Sequence, residues 1–240
     1  MIRNTYLKGI FDLLTKISET QGEKLSRASE MVSEVIKNDG IIYVFGCGHS
    51  HLLGLDCFYR AGGLANVSAM LDTDLMLHNG AAKSSKMEKM SGIAEAVFER
   101  YCIKENDLLI IVSTSGKNAV PVEMAQTATK NGIKSIAVAS SEYFSDKKDC
   151  PMLYECADMY IDNCVPHGDA FVDIEGAETK MGSLSTIAGS YILNTVLMEG
   201  AEAAGKCGKR PPVYMSGNVD GGAEFNQSLI KKYLPRIKHL

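Results

Sequence analysis

Gly40-Ile41-Ile42-Tyr43-Val44-Phe45-Gly46-Cys47-Gly48-His49-Ser50 is the stretch on which the reading of this chain turns. Five apolar, β-prone residues from Ile41 to Phe45 run without a polar break, which predicts a strand buried on both faces. The run ends in Gly46, Gly48 and Ser50, so the strand opens into a tight turn. Glycines let backbone N–H groups come close to an anion. A helix starting near His49 or Ser50 adds its N-terminal N–H groups and dipole at the same point, and strand, turn and helix start together form an anion cradle.

The rest of the chain supports an α/β reading. Its 240 residues suit one domain with helical additions and suffice for a full core. A net charge of -4 leaves no basic surface for a polyanion, so nucleic acid is not an expected partner. No apolar run reaches the roughly 20 residues that a bilayer requires. Arg3, Asn4, Lys8 and Asp12 interrupt any signal-peptide core, so the chain reads as cytoplasmic, with no membrane partner. The seven cysteines have no CxxC spacing and read as reduced thiols, with Cys47 and Cys102 in apolar runs as small buried hydrophobes.

Outward from the first strand, residues 1–38 predict two helices with apolar residues at helical spacing, among them Ile10, Leu13 and Ile17, then Leu25, Val32 and Ile36. They form an N-terminal segment that packs on the domain or on a partner subunit, and the expected assembly is a homodimer or homotetramer. Residues 39–208 form the domain proper. Within it a helix is expected over 52–61 and a short strand over 64–71. A long polar loop over 72–89 follows, and then helical spacing over 88–101.

Asp107-Leu-Leu-Ile-Ile-Val112 is a second fully apolar strand. It runs into Ser113-Thr114-Ser115-Gly116-Lys117-Asn118 and a helix over 119–131. Strands over 133–139 and 158–162 follow, and then a long apolar helix over 181–204. Strands that alternate with helices argue a parallel sheet covered on both faces. Residues 209–240 read as a glycine-rich tail with an amphipathic end, a possible lid.

The same device therefore occurs twice: an apolar strand ending in a hydroxyl-rich turn that opens a helix. Ligands of open α/β sheets bind at the carboxyl ends of strands where the strand order reverses. If the first and third strands are neighbours there, both turns face one crevice. It offers Ser50, Ser113, Thr114, Ser115 and Asn118 with no Mg²⁺-binding Asp beside them, a donor set suited to a phosphate monoester. The turns lack the third glycine of a dinucleotide fingerprint, the Lys-Ser/Thr pair of a P-loop, and the GxSxG elbow. His49 and His51 would point to different faces of a helix, so no metal or other cofactor is expected.

The paired motifs, GCGHS at 46–50 and STSGKN at 113–118, resemble those of the sugar isomerase (SIS) domain family over about residues 25–199. The resemblance implies a three-layer αβα fold with a five-stranded parallel, flavodoxin-like doubly wound sheet plus the N-terminal helices. It also implies a phosphosugar ligand. Ser113, Thr114, Ser115, Gly116 and Asn118 match the family's phosphate loop, and Gly48, His49 and Ser50 its first-loop substrate contacts. The pattern HLLGLD after Ser50 resembles the N-acetylmuramic acid 6-phosphate etherase and phosphoheptose isomerase branches, and Ser183 in MGSLS matches a hydroxyl at a helix entry of the etherases. Those branches keep a catalytic glutamate where this chain has Arg60, which stays protonated and cannot act as a base.

The proton-transfer group must then come from elsewhere. Glu88 lies after the polar loop, near a second glutamate of the etherase-like pattern. His78 lies within that loop, and His167 follows the last strand in VPHGDA; both titrate in the useful range. The expected activity is a metal-independent aldose–ketose isomerisation of a sugar phosphate or amino-sugar phosphate. A non-catalytic phosphosugar sensor, or a lyase acting on an amino-sugar ether, are the alternatives.

Overall fold

The computed structural model describes residues 1–147 and 150–240. Two helices, α1 (Ile2–Thr20) and α2 (Gly22–Lys37), lead into β1 (Ile42–Gly46). A Schellman-type turn makes the join: the N–H of Gly40 donates to Val35 O at 2.8 Å and that of Asp39 to Ile36 O at 3.3 Å. The left-handed residue of that turn is Asp39, at φ 53°.

The chain continues through α3 (His51–Cys57), β2 (Val67–Met70), α4 (Ala81–Met87), α5 (Ile93–Glu99) and β3 (Leu108–Val112). Then come α6 (Ala119–Lys130), β4 (Lys134–Ala139), α7 (Leu153–Cys156) and β5 (Met159–Asp162). A small hairpin, β6 (Ala170–Val172) with β7 (Met181–Ser183), precedes the long α8 (Ser185–Lys206), and α9 (Gly222–Tyr233) lies in the tail.

The five parallel strands take the order β2-β1-β3-β4-β5, so the order reverses between β1 and β3. These two are direct neighbours, with Gly46 opposite Val112 at their carboxyl ends. Alternation along the buried strands splits the core in two. Ile42, Val44, Leu108, Ile110, Ile136 and Val138 face α1, α2, α3 and α8. Ile41, Tyr43, Phe45, Leu109, Ile111 and Ala137 face α5, α6 and the tail.

Both N-terminal helices pack on the domain itself. Ile17 and Val32 are each 0% exposed, and full burial of such a side chain stabilises by ~1.5–3 kcal/mol. Ile2, Leu7 and Phe11 of α1 stay exposed.

Several expectations change. The long loop over 72–89 is ordered into two 3-10 turns, Thr73–Leu75 and Leu77–Asn79, followed by α4. The helix expected from residue 181 starts at Ser185, because Met181–Ser183 pairs with Ala170–Val172. Cys47 is buried as expected, but Cys102 is exposed, because it lies in the turn between α5 and β3.

The tail packs into the core, and none of its residues lines the cleft between the two turns. Tyr214, Tyr233 and Ile237 belong to the core. Pro212 O accepts from the N–H of Ala65 ahead of β2, and Arg236 Nη2 donates to Asp107 Oδ2 at 2.6 Å ahead of β3. These anchors lie at the amino ends of the strands, opposite the turns GCGHS and STSGKN. No described helix is long and apolar enough to cross a membrane.

Candidate functional site

At the carboxyl end of β1 the chain turns sharply because Gly46 has no side chain. A Cβ there would sit 2.6 Å from the carbonyl carbon of Ser50 and 2.7 Å from its oxygen, closer than backbone can tolerate. The next residues wind into a 3-10 turn, Gly48–Ser50, with Gly48 at φ 56° and the Ser50 N–H donating to Cys47 O at 3.0 Å. His51 is buried, its Nδ1 2.5 Å from Gly48 O, so this ring braces the turn from behind. His49 and Ser50 are left on the open side.

The second turn stands beside the first because β3 adjoins β1. Its backbone N–H groups divide in two. That of Ser113 donates to Val138 O at 3.0 Å and that of Gly116 to Ser113 Oγ at 3.3 Å. Those of Thr114, Ser115 and Lys117 have no acceptor among the described residues. Gly116, at φ 61°, supplies the left-handed kink that turns this row of N–H groups toward α6. The α6 N-terminus carries no side-chain cap, because the carboxamide of its N-cap residue, Asn118, is directed elsewhere.

Asn118 Nδ2 donates to Glu88 Oε1 at 2.7 Å. Glu88 ends α4, and its backbone carbonyl accepts from the Val120 N–H at 3.1 Å, which ties it to the start of α6. The carboxyl group is half-buried, and that burial raises its pKa above 4.5, partly opposed by the charge of Lys89. One oxygen is held by Asn118, and no described group donates to the other.

A cleft of about 210 Å³ joins these parts, lined by Cys47, His49, Ser50, Glu88 and, from the second turn, Ser113, Thr114, Ser115 and Asn118, with Tyr143, Asp169 and Ser185 completing the wall. Burial pushes the Cys47 thiol pKa up. A larger cavity of about 710 Å³ opens between α2 and the amino ends of β3 to β5. Its wall sets Glu30, Glu34, Glu105, Asp107 and Asp158 against Arg27 and Lys134, a net negative lining that disfavours a phosphate, so the smaller cleft at the reversal of strand order is the better ligand site.

Sequence reasoning missed Asp169 and Ser185. Asp169, at φ 63°, leads into β6 and reaches across to α8. Its Oδ1 accepts from the N–H groups of Leu184 at 3.0 Å and Ser185 at 2.8 Å, and its Oδ2 from the Ser185 hydroxyl at 2.7 Å. The hairpin holding Asp169 leans on α1, where the Tyr6 hydroxyl donates to Ser183 O at 2.7 Å.

The remaining candidates lie outside this group. Ser183 is exposed on β7, and the helix-entry hydroxyl that lines the cleft is Ser185. His78 is exposed in a 3-10 turn, 6.1 Å between ring centroids from His51. His167 is exposed behind Tyr143, its ring stacked on the Tyr143 ring at 4.4 Å and its Nε2 3.2 Å from Asp146 Oδ2. Arg60 lies beyond the end of α3, paired with Asp56 of that helix, and does not line the cleft. Among the described residues no group of three His, Cys, Asp or Glu side chains is placed to hold a metal ion.

A SIS domain family model matches residues 5–140. Over 242 aligned residues the chain is 41% identical to a protein designated UPF0309 from Caldanaerobacter subterraneus subsp. tengcongensis, with 98% of each chain covered. A phosphoheptose isomerase structure from Francisella tularensis superposes with a TM-score of 0.54 at 14% identity, covering 82% of this chain and 95% of that one. The sugar isomerase domain of an RpiR transcription factor from Sphaerobacter thermophilus superposes with a TM-score of 0.51 at 16% identity, covering 98% of each chain. With its doubly wound sheet, its paired turns at the strand reversal and a family match over more than half its length, the chain belongs to the SIS domain family of phosphosugar-binding domains.

Proposed function

We propose that this protein is a phosphosugar isomerase that interconverts an aldose and a ketose phosphate using its own acid–base groups. The observation that carries the reading is the placement of Glu88. A half-buried carboxylate with one oxygen held by Asn118 shares a cleft with a turn of free N–H groups and hydroxyls.

In this mechanism Thr114, Ser115 and Lys117 donate their backbone N–H groups to the phosphate, assisted by the uncapped start of α6. His49 and Ser50 orient sugar hydroxyls. The free oxygen of Glu88 removes the proton from the carbon next to the carbonyl and returns it to the neighbouring carbon through an enediol. The phosphate contacts hold the reacting carbons against the base, and well-oriented intramolecular reactions of this kind gain ~7–11 kcal/mol from positioning. Asn118 belongs to both halves, since it opens the phosphate helix and fixes the carboxylate.

One observation favours a second reading, a non-catalytic phosphosugar sensor. Arg60 occupies the position of the related enzymes' glutamate and pairs away from the cleft, which leaves Glu88 as the single carboxylate there with an uncommitted oxygen. Incubation in D₂O with a panel of hexose, heptose and N-acetylhexosamine phosphates, followed by NMR, separates the two. Conversion with deuterium entering at the reacting carbon supports the isomerase. Saturable binding without conversion or exchange supports the sensor, and release of a carboxylic acid from an ether substrate would instead mark a lyase.

A further inference from the structure

Two walls of the cleft differ in the direction of their hydroxyl groups. On the turn after β3, Ser113 Oγ accepts from the Gly116 N–H at 3.3 Å. Thr114 Oγ1 accepts from Asn163 Nδ2 at 3.3 Å, and Asn163 is itself 1% exposed, with its Oδ1 occupied by the Val165 N–H. Both hydroxyls thus receive a hydrogen from the protein, and their own hydrogens remain free to donate into the cleft. With the unpaired N–H groups of Thr114, Ser115 and Lys117, this wall is made of donors.

Across the cleft the arrangement reverses. The Ser185 hydroxyl gives its hydrogen to Asp169 Oδ2 at 2.7 Å, so what it presents is lone pairs. Asp169 also takes up the Leu184 and Ser185 N–H groups, which seats a carboxylate at the start of α8 where a second anion would otherwise sit. Glu88 adds an acceptor oxygen. The lining contains two carboxylates and no Lys or Arg. Lys117, the cation nearest in sequence, is not part of the lining: its Nζ is held 2.7 Å from Asp146 Oδ2, beside the Tyr143 ring.

We infer that Asp169, through Ser185, and Glu88 act as specificity residues that restrict the cleft to sugar monophosphates bearing hydroxyl or ammonium donors opposite the phosphate, and reject ligands carrying a second anionic group. This rests on the phosphosugar reading above and narrows it: sugar-acid phosphates and bisphosphates are excluded, whether the protein converts its ligand or only senses it. The physical reason is that an added carboxylate or phosphate meets acceptors and like charge, with no Lys or Arg side chain in the lining to receive it.

Calorimetric titration of the full chain at fixed ionic strength tests this with inorganic phosphate, glucose 6-phosphate, glucosamine 6-phosphate, 6-phosphogluconate and fructose 1,6-bisphosphate. We expect 6-phosphogluconate and the bisphosphate to bind at least ~10-fold more weakly than glucose 6-phosphate, as one uncompensated like-charge contact requires. Ser185→Ala, which keeps the backbone contacts of Asp169, should weaken both neutral and amino-sugar phosphates while leaving inorganic phosphate unchanged. Asp169→Asn and Glu88→Gln should each narrow the gap between glucose 6-phosphate and 6-phosphogluconate. Equal wild-type affinity for those two ligands overturns the inference and leaves the phosphosugar reading standing. Absence of all phosphate binding, or binding unaffected by Gly116→Val in the phosphate turn, overturns that reading and this inference with it.

Discussion

Replacing Glu88 by Gln separates the chemistry of the cleft from its architecture. The substitution keeps an oxygen where Asn118 Nδ2 now donates at 2.7 Å, so the side chain should stay in place. It removes a carboxylate whose charged form is disfavoured by burial. A general base of this kind contributes typically 10²–10⁴-fold, so turnover should fall by about 2.7–5.4 kcal/mol of barrier. The sign of the stability effect also follows. Because the folded-state pKa lies above the unfolded value, the carboxyl group's contribution is fully present below pH 4.5 and is lost as pH rises through the folded pKa. At neutral pH the Gln variant should therefore be at least as stable as wild type, and the difference should vanish in acid. NMR of deuterium exchange and aldose–ketose conversion reads the first effect, thermal melts at several pH values read the second, and calorimetry checks that phosphosugar affinity survives. Turnover within threefold of wild type, with the fold intact, would refute the assignment of Glu88 as the base.

Other consequences can be checked alongside. In wild type the acid limb of kcat/KM should lie above pH 4.5, and Asn118→Ala should move it higher, because a donor to the carboxylate favours its ionised form; an unmoved limb would count against this coupling. Gly46→Ala drives a Cβ into the Ser50 backbone at 2.6 Å, so we expect about 1–3 kcal/mol of destabilisation together with loss of phosphate binding. Retention of both would show that the turn is not built as described. Asp107 is fully buried and accepts from the Ile41 N–H at 2.8 Å, the Lys104 N–H at 2.7 Å and Arg236 Nη2 at 2.6 Å. Asp107→Ala leaves that guanidinium without its partner and should cost about 3–5 kcal/mol in urea unfolding; a loss under 1 kcal/mol would dissolve the role of Asp107 as the anchor of the tail.

The sheet was legible because a parallel strand buried on both faces has to be apolar throughout, and the runs at 41–45 and 108–112 left no other reading. The same runs located the two turns, since small and hydroxyl-bearing residues rich in Gly and Ser follow each of them, and Glu88 stood out as the acid that follows the polar loop, near a second glutamate of the etherase-like pattern. What stayed hidden depends on long-range contacts. Asp169 caps a helix 16 residues further along the chain, and no local pattern signals a cap that distant. The hairpin β6–β7 has three-residue strands, too short for a period to show, so Met181–Ser183 read as the first turn of α8. The tail looked detachable because glycines and charged residues interrupt its apolar ones, although Tyr214, Tyr233 and Ile237 are each buried in the core.

The central claim is that the turn from Ser113 to Asn118 receives the phosphate. Its most direct test is an amide NMR titration of the labelled protein with inorganic phosphate and then with glucose 6-phosphate. The account predicts saturable shifts of the Thr114, Ser115 and Lys117 amide protons with both ligands, and shifts at His49 and Ser50 with the sugar phosphate alone. Shifts confined to the cavity beside α2, or none at residues 114–117, would contradict it.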